Sequence, residues 1–476
     1  MDLKKFYKNI ENKLGYRFTE CQKSIAENLT YFVNANKSRS VYILTGYAGT
    51  GKTSLISSFI NSLLEININT VLMAPTGRAA KVFSSYANKE SFTIHKLIYK
   101  QNKLSDAVNS FDINYNKYKN TVFIVDEASM ITDTNLPGNI FGSGRLLSDL
   151  LEFVFSNTNN KLILVGDNAQ LPPVHLDKSP ALNQEVLLSH NCNVSSGSME
   201  TVVRQAHNSG ILINATKIRK TLQNEDYKFP EVQTNDFEDI ERISGTDLIE
   251  AIENSYNIFG IEETRIITKS NKTANLYNNG IRNRILWKEE ELSYGDILMV
   301  VKNNYAWLPE NSPISFIANG DMIEILQIGK YYERYGYRYA DVSIKFIDYP
   351  KFEIQTKVLL DSLNYDGPSM PNNYYKQLME QLQLDYSHIA DKKKKMQAIF
   401  NDPFYNALQI KYAYAVTCHK AQGGQWKNVF IDHGYLTEHN IDKSFLRWLY
   451  TAFTRATNKL YLINFHKEFF LSDTNN

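Results

Sequence analysis

Residues 46–53 read GYAGTGKT, and no other stretch restricts the fold as strongly. They fit GxxxxGK[ST] without a mismatch; the strand-like SVYILT precedes them and the helix-compatible SLISSFINSLLE follows. Gly46, Gly49 and Gly51 let backbone N–H groups turn toward phosphate oxygens where a Cβ would clash. The start of the helix adds positive dipole. Lys52 is placed to reach the β- and γ-phosphates, and Thr53 to offer its hydroxyl to Mg²⁺. Ala48, Thr50 and Ser54 complete the loop's contact set. Short apolar runs at 41–45, 70–74, 121–125, 161–165, 265–268, 412–417, 429–432 and 459–464 alternate with helical stretches. Runs of this kind are strands buried on both faces, so the chain reads as βαβ units around parallel sheets.

Two further strand ends carry chemistry. In TVFIVDEASM (121–130) a buried strand ends in Asp126-Glu127. Beside a phosphate loop, Asp126 suits holding Mg²⁺ through water and Glu127 polarising an attacking water as general base. In LILVGDNAQLPPV (162–174) a third strand end carries Asp167 and Gln170, and a neutral amide there can sense a γ-phosphate. Each has a plainer reading when taken alone: an acidic pair caps a helix, and Gly166, Asp167 and Pro172 build a turn.

The length of 476 residues allows roughly three domain-sized units at ~150 residues each, or two with large insertions. With 52 Lys+Arg against 51 Asp+Glu the net charge is +1, which excludes a uniformly basic nucleic-acid coat. Any polyanion must be held at a local site. No apolar run approaches the ~20 residues that span a bilayer, and the N-terminus lacks the apolar stretch of a secretory signal. Cys21, Cys192 and Cys418 are scattered and match no zinc or CxxC spacing. A cytoplasmic protein without membrane association is expected.

The βαβ pattern breaks twice. Residues 99–118 are polar with isolated aromatics and form a small excursion between two strands. Residues 289–405 hold β segments punctuated by Gly and Asn, including the ribbon Lys330–Tyr339, in which Lys330, Arg334 and Arg338 interleave with five tyrosines. A charged helical stretch follows, in which Lys392–Lys395 reads as a solvated face. Because the βαβ pattern resumes afterwards, the second break is an inserted domain.

In chain order, the blocks FTECQ (18–22), GYAGTGKT, APTGRAAKV (74–82), TIHKL (93–97), VDEASM, GDNAQLPPV, METVVRQ (199–205), AVTCHKAQGGQW (415–426) and LYTAFTRA (449–456) resemble those of superfamily 1B helicases, RecD-like and bacteriophage Dda-like. The resemblance covers about residues 15–465, and TxHKxQG followed by YxAxTRA is far more specific than the phosphate loop. It implies an α/β fold of two RecA-like domains, parallel sheets flanked by helices. The first comprises 1–98 and 119–200, the second 201–288 and 406–476, with a pin insertion at 99–118 and an SH3-like β insertion at 289–405.

The same resemblance implies ATP and Mg²⁺ as cofactors and single-stranded and forked DNA as partner. Gln22 would read adenine, and Arg204 and Arg455 would stabilise charge on the γ-phosphate as arginine fingers. Pro75, Thr76, Thr93, His95, Thr417, His419 and Lys420 would line a track for the strand's phosphates. Phe111 and Tyr115, with Tyr118, are candidates to stack on the duplex junction, with core packing open for each. The tyrosine ribbon suits a strand-binding platform or a hairpin with a cross-strand aromatic face. Cys418 reads as a small buried side chain.

The implied activity is ATP-dependent 5′→3′ translocation on single-stranded DNA and duplex unwinding by a monomer-competent motor. Two alternatives stay open: a relative acting on RNA, and a nucleotide-gated scaffold without turnover. Repair, recombination and replication all fit as settings. A modest track on a nearly neutral protein implies a shallow salt dependence of strand binding.

Overall fold

The strand Ser40–Gly46 carries the phosphate loop at its end, and Val41–Leu44 are buried on both faces. In the computed structural model, which describes residues 2–101, 111–135, 141–203, 208–225, 227–309, 312–314 and 316–470, it lies inside a sheet of six parallel strands. Their order is Ser91–Thr93, Asn69–Ala74, Thr121–Val125, Lys161–Gly166, Ser40–Gly46 and Asn193–Met199. The three strand ends singled out in the sequence therefore emerge side by side. The edge strand NVSSGSM has no apolar run and escapes a reading by periodicity. Its Gly197 is required by packing, since a Cβ there would meet the Tyr42 hydroxyl at 2.5 Å. The helix Lys52–Glu65 buries Leu55, Ile56, Phe59, Ile60 and Leu63, on which Phe6 and Ile10 of the helix Leu3–Leu14 close a core.

A second parallel sheet has the order Ala415–Thr417, Thr264–Thr268, Trp426–Asp432, Ala456–Ile463 and Ile240–Ile243. Helices Gly210–Gln223, Leu248–Phe259, Asn271–Arg284 and Lys443–Phe453 belong to this half. The fold is α/β, with two RecA-like domains.

Five strands, Ile297–Val300, Met322–Arg334, Tyr337–Phe346, Tyr349–Leu359 and Leu408–Tyr412, form a closed barrel where the SH3-like insertion is expected. This moves one boundary. Leu408–Tyr412, expected in the second RecA-like domain, closes the barrel by pairing with Ile297–Val300 and Tyr349–Leu359. The run expected as one strand over 412–417 is thus divided between barrel and sheet.

The tyrosine ribbon turns at Tyr335 and Gly336, both at positive φ (56° and 76°), the two-residue hairpin geometry that suits strand twist. Four of its five tyrosines are packing residues, and only Tyr331 is exposed, at 49%. Tyr332, Tyr335 and Tyr339 set their rings against Phe404 at 5.5, 5.8 and 5.1 Å, and Tyr337 meets Tyr374 at 4.7 Å. Their hydroxyls are engaged too: Tyr332 donates to Asp341, Tyr335 to Asp385 and Tyr337 to Gln377. Arg334 pairs with Asp385, and Arg338 with Glu291 and Asp361. The ribbon thereby seats the helices Asn372–Asp385 and Lys392–Phe400 on the barrel. Lys392, Lys393 and Lys394 are exposed.

The excursion at 99–118 is anchored by a two-stranded antiparallel ribbon, Tyr99–Gln101 with Phe111–Ile113; residues 102–110 lie outside the described residues. Phe111 is corrected from a junction-stacking candidate to a core residue. It is 3% exposed and packs on Phe141 at 4.8 Å and Tyr305 at 5.2 Å, so its ring has no free face. Tyr115 is 76% exposed, and Tyr118 packs edge-on against Phe123. Among the described residues no helix is long and apolar enough to cross a membrane.

Candidate nucleotide site and strand track

The phosphate loop owes its shape to two residues at positive φ, Gly49 (74°) and Gly51 (80°). A Cβ on Gly51 would lie 2.6 Å from Gln22 Nε2, so glycine is required twice over there. Gln22 lies beneath the loop and is fully buried. Its Oε1 accepts from Thr19 N (3.0 Å) in a capping box at the start of the helix Glu20–Asn34, and its Nε2 donates to Thr50 O (3.3 Å). The amide expected to read adenine is thus engaged in holding a helix start against the loop. Lys52 Nζ donates to the carbonyls of Gly46 (2.6 Å) and Tyr47 (2.8 Å).

A cavity of about 540 Å³ opens over the loop. Ala48, Gly49, Gly51, Lys52, Thr53, Ser54, Asp126, Glu127, Asp167 and Gln170 reach it from the first domain, and Arg455 from the second. Gly46, Thr50 and Gln22 lie behind this lining, and Arg204 lies outside the described residues.

The acid pair is held under tension. Glu127 sits at φ 51°, a left-handed conformation that costs of order 1–3 kcal/mol for such a residue. Its backbone N–H donates to Asp126 Oδ1 at 2.8 Å. The other Asp126 oxygen accepts from the Tyr86 hydroxyl. Burial between the domains pushes Asp126, Glu127 and Asp167 above the usual carboxylate range. Arg455 opposes this at Glu127, and Lys52 at all three. Arg455 is itself buried, held by Thr451 O (3.0 Å), Gly424 O (3.1 Å) and the Thr454 hydroxyl (3.1 Å). Gln170 Oε1 is buried with no hydrogen-bond partner among the described residues, as an amide awaiting a ligand would be.

The donor set fits a nucleotide with Mg²⁺. Turned amides and a lysine meet the phosphates, a hydroxyl (Thr53) and a carboxylate (Asp126) suit a hard cation, and an arginine comes from the opposite domain.

A second cavity, about 460 Å³, runs between the domains and the barrel. Pro75, Thr76, Thr93, His95, His419 and Lys420 line it; Thr417 does not. Thr76 and Thr93 also cap helices, accepting from Ala79 N and Lys96 N at 3.2 Å each, so two helix N-termini point at this space. Burial pushes His95 down to about 4, which keeps it neutral, and its ring packs on Phe141 at 5.0 Å. Burial, and then Lys411, bring Lys420 down to about 8. Cys418 is enclosed, with its thiol pushed up to about 12 by burial.

Sequence reasoning missed Tyr86, Arg265 and Trp426 as parts of these walls. Arg78 and Arg265 both approach the Trp426 ring, at 5.7 and 5.4 Å, a grouping no local spacing announces. Tyr86 lies far from Asp126 in sequence, and only the topology joins them.

Fold and site together define a P-loop nucleotide hydrolase with paired RecA-like domains. Residues 31–176 match the family model of an AAA domain, and residues 412–463 that of the UvrD-like helicase C-terminal domain. The chain is 25% identical to the uncharacterized protein R530 of Acanthamoeba polyphaga mimivirus, over 93% of this chain and 99% of that one. It is 26% identical to the ATP-dependent DNA helicase dda of Enterobacteria phage T4, over 65% of this chain and 67% of dda. A crystal structure of a Bacteroides Pif1 helicase in complex with ADP-AlF3 and ssDNA aligns over 96% of this chain and 95% of that one, at 14% identity and a TM-score of 0.46. These matches make the chain similar to the superfamily 1B helicases of the RecD and Dda kind and support an ATP-hydrolysing helicase.

Proposed function

We propose that the enzyme moves 5′→3′ along single-stranded DNA and unwinds the duplex ahead of it, with a single chain as the working motor. The observation that carries the motor reading is one interface with two cavities, and the 5′→3′ direction is assigned on the order of the motifs. Catalytic groups from both domains line one of them, and track residues from both domains line the other. Any nucleotide-driven change in the gap between domains then alters both grips on the strand. In this reading Lys52 and the loop amides hold the phosphates, and Thr53 and Asp126 hold Mg²⁺, which neutralises phosphate charge. Glu127 accepts a proton from the attacking water, Gln170 orients it, and Arg455 stabilises charge on the transferred group. Arg204 is assigned to the same task on the strength of its motif.

Unwinding of 5′-tailed against 3′-tailed forks tests motor, substrate and polarity together, with Lys52→Ala as the inactive control. Unwinding of 5′-tailed forks alone is expected. Activity confined to 3′-tailed forks would falsify the polarity, and stimulation by single-stranded RNA but not DNA would reassign the substrate.

A second expectation concerns salt. Among the described residues, Arg78, Arg265 and Lys420 are the lysines and arginines on the wall of the track. At ~0.7 per single-strand phosphate contact, log Kd should change with log salt at a slope of about 2. Fluorescence anisotropy on a labelled oligonucleotide measures it, and a slope of about 5 or more would mean that the strand runs elsewhere.

A further inference from the structure

The helix Lys443–Phe453 sends Tyr450 across the cleft, a side chain for which the roles assigned above have no use. Tyr450 is 1% exposed, and its hydroxyl makes two bonds to the first domain. It accepts from Ala48 N in the phosphate loop (2.9 Å) and donates to Asp167 Oδ2 at the end of the strand Lys161–Gly166 (2.6 Å). One oxygen of the second domain therefore touches two separate strand ends of the first. The adjoining Thr451 hydroxyl accepts from Leu171 N (2.9 Å), and Gln422 Nε2 donates to Leu171 O (2.7 Å), which fixes the same contact from either side.

Arg455 follows five residues after Tyr450. Its guanidinium is tied back to Thr451 O and to Thr454 and Gly424, so tyrosine and arginine belong to one rigid turn. Where Tyr450 sits decides where Arg455 sits. A hydroxyl shared between Ala48 and Asp167 can keep both bonds only while the loop and the third strand end hold one mutual position. Burial and the neighbouring Asp167 push the phenol well above its ordinary range, so it stays a proton donor throughout the working pH range.

We propose that Tyr450 is a positioning residue that registers Arg455 against the acid pair across the domain interface, making hydrolysis conditional on correct docking of the two domains. The proposal rests on the reading of this cavity as the site of ATP hydrolysis. It assigns Tyr450 no contact with the nucleotide, so its removal should act on kcat and leave KM for ATP nearly unchanged.

Tyr450→Phe keeps the ring and deletes only the shared oxygen. The test is steady-state ATPase of the full chain with saturating oligo(dT), for the parent, Tyr450→Phe, Arg455→Lys and the double variant. In Tyr450→Phe, kcat should fall about tenfold, the scale of one hydrogen bond to a charged group, with KM within about twofold. The double variant should be little worse than Arg455→Lys alone, because an arginine already out of register has less to lose. Asp167→Asn, which keeps an acceptor for the phenol, should recover part of the loss relative to Asp167→Ala. A parent-like kcat in Tyr450→Phe, fully additive losses, or a fall in kcat that only tracks a lowered thermal midpoint would each overturn the proposal. Absence of hydrolysis by the parent chain would instead remove the underlying site reading.

Discussion

Glu127→Gln is expected to lower ATP turnover about a thousandfold while leaving nucleotide and single-strand binding near parent levels. The substitution keeps the shape of a residue held at φ 51° and removes only its ability to take a proton. A positioned general base contributes roughly 10²–10⁴ in rate, so about 10³ is the middle of the range. The surroundings also set the pH profile. Burial raises the Glu127 carboxyl, Arg455 pulls it back, and Asp126 raises it again. A base acts only when ionised, so the parent rate should fall as pH drops through this raised value, at higher pH than an ordinary carboxylate would give. The same acid limb should be absent from the residual rate of Glu127→Gln. Rapid-quench measurement of the chemical step across pH 4.5–8 checks both points. If Glu127→Gln hydrolyses ATP within about tenfold of the parent, another group takes the proton and the assignment of roles in the acid pair is wrong.

The candidate nucleotide site was legible because its chemistry is local. A phosphate loop needs consecutive residues between one strand and one helix, and GYAGTGKT, VDEASM and GDNAQ each fall at the end of a buried strand. Neighbouring parallel strands then bring those ends together without further instruction. Contacts made across elements were not legible. Tyr86 reaches Asp126 from the helix Gly77–Ala87, and Tyr450 reaches Asp167 from the other domain. Nothing in the neighbourhood of Tyr86 marks it, and the block LYTAFTRA singles out Tyr450 without showing what its hydroxyl touches.

Gln22 shows a different limit. The same amide suits a base edge or a capping box, and only the folded loop shows that both ends of it are engaged. The tyrosine ribbon is ambiguous for a related reason, since stacking on bases and packing on helices call for identical composition. Leu408–Tyr412 and Ala415–Thr417 are likewise both short buried strands close in sequence, and their pairing partners alone assign one to the barrel and one to the sheet.

The junction between barrel and second domain carries the largest expected effect on stability. Asp296, at the start of the first barrel strand, is 0% exposed. It accepts from Arg282 Nε (3.2 Å) and Nη2 (3.0 Å), Lys288 Nζ (3.0 Å), the Tyr414 hydroxyl (2.9 Å) and Ser293 N (2.8 Å). Arg282, on the helix Asn271–Arg284, lies over the Tyr412 ring at 4.4 Å and is itself buried. Helix, barrel strand and sheet thus share one desolvated charge cluster. Removing a single partner leaves a buried guanidinium unpaired, which costs about 3–5 kcal/mol. Asp296→Ala should therefore lose that much in urea unfolding followed by barrel-sensitive tryptophan or tyrosine signals. The sign of the pair term is separately testable, because replacing both charges by apolar groups of similar volume is often neutral. Asp296→Leu combined with Arg282→Met should recover more than half of the loss seen in Asp296→Ala. If the two substitutions are simply additive, the charges are not acting as a unit. If Asp296→Ala costs less than about 1 kcal/mol, water reaches the cluster and the junction is looser than its distances imply.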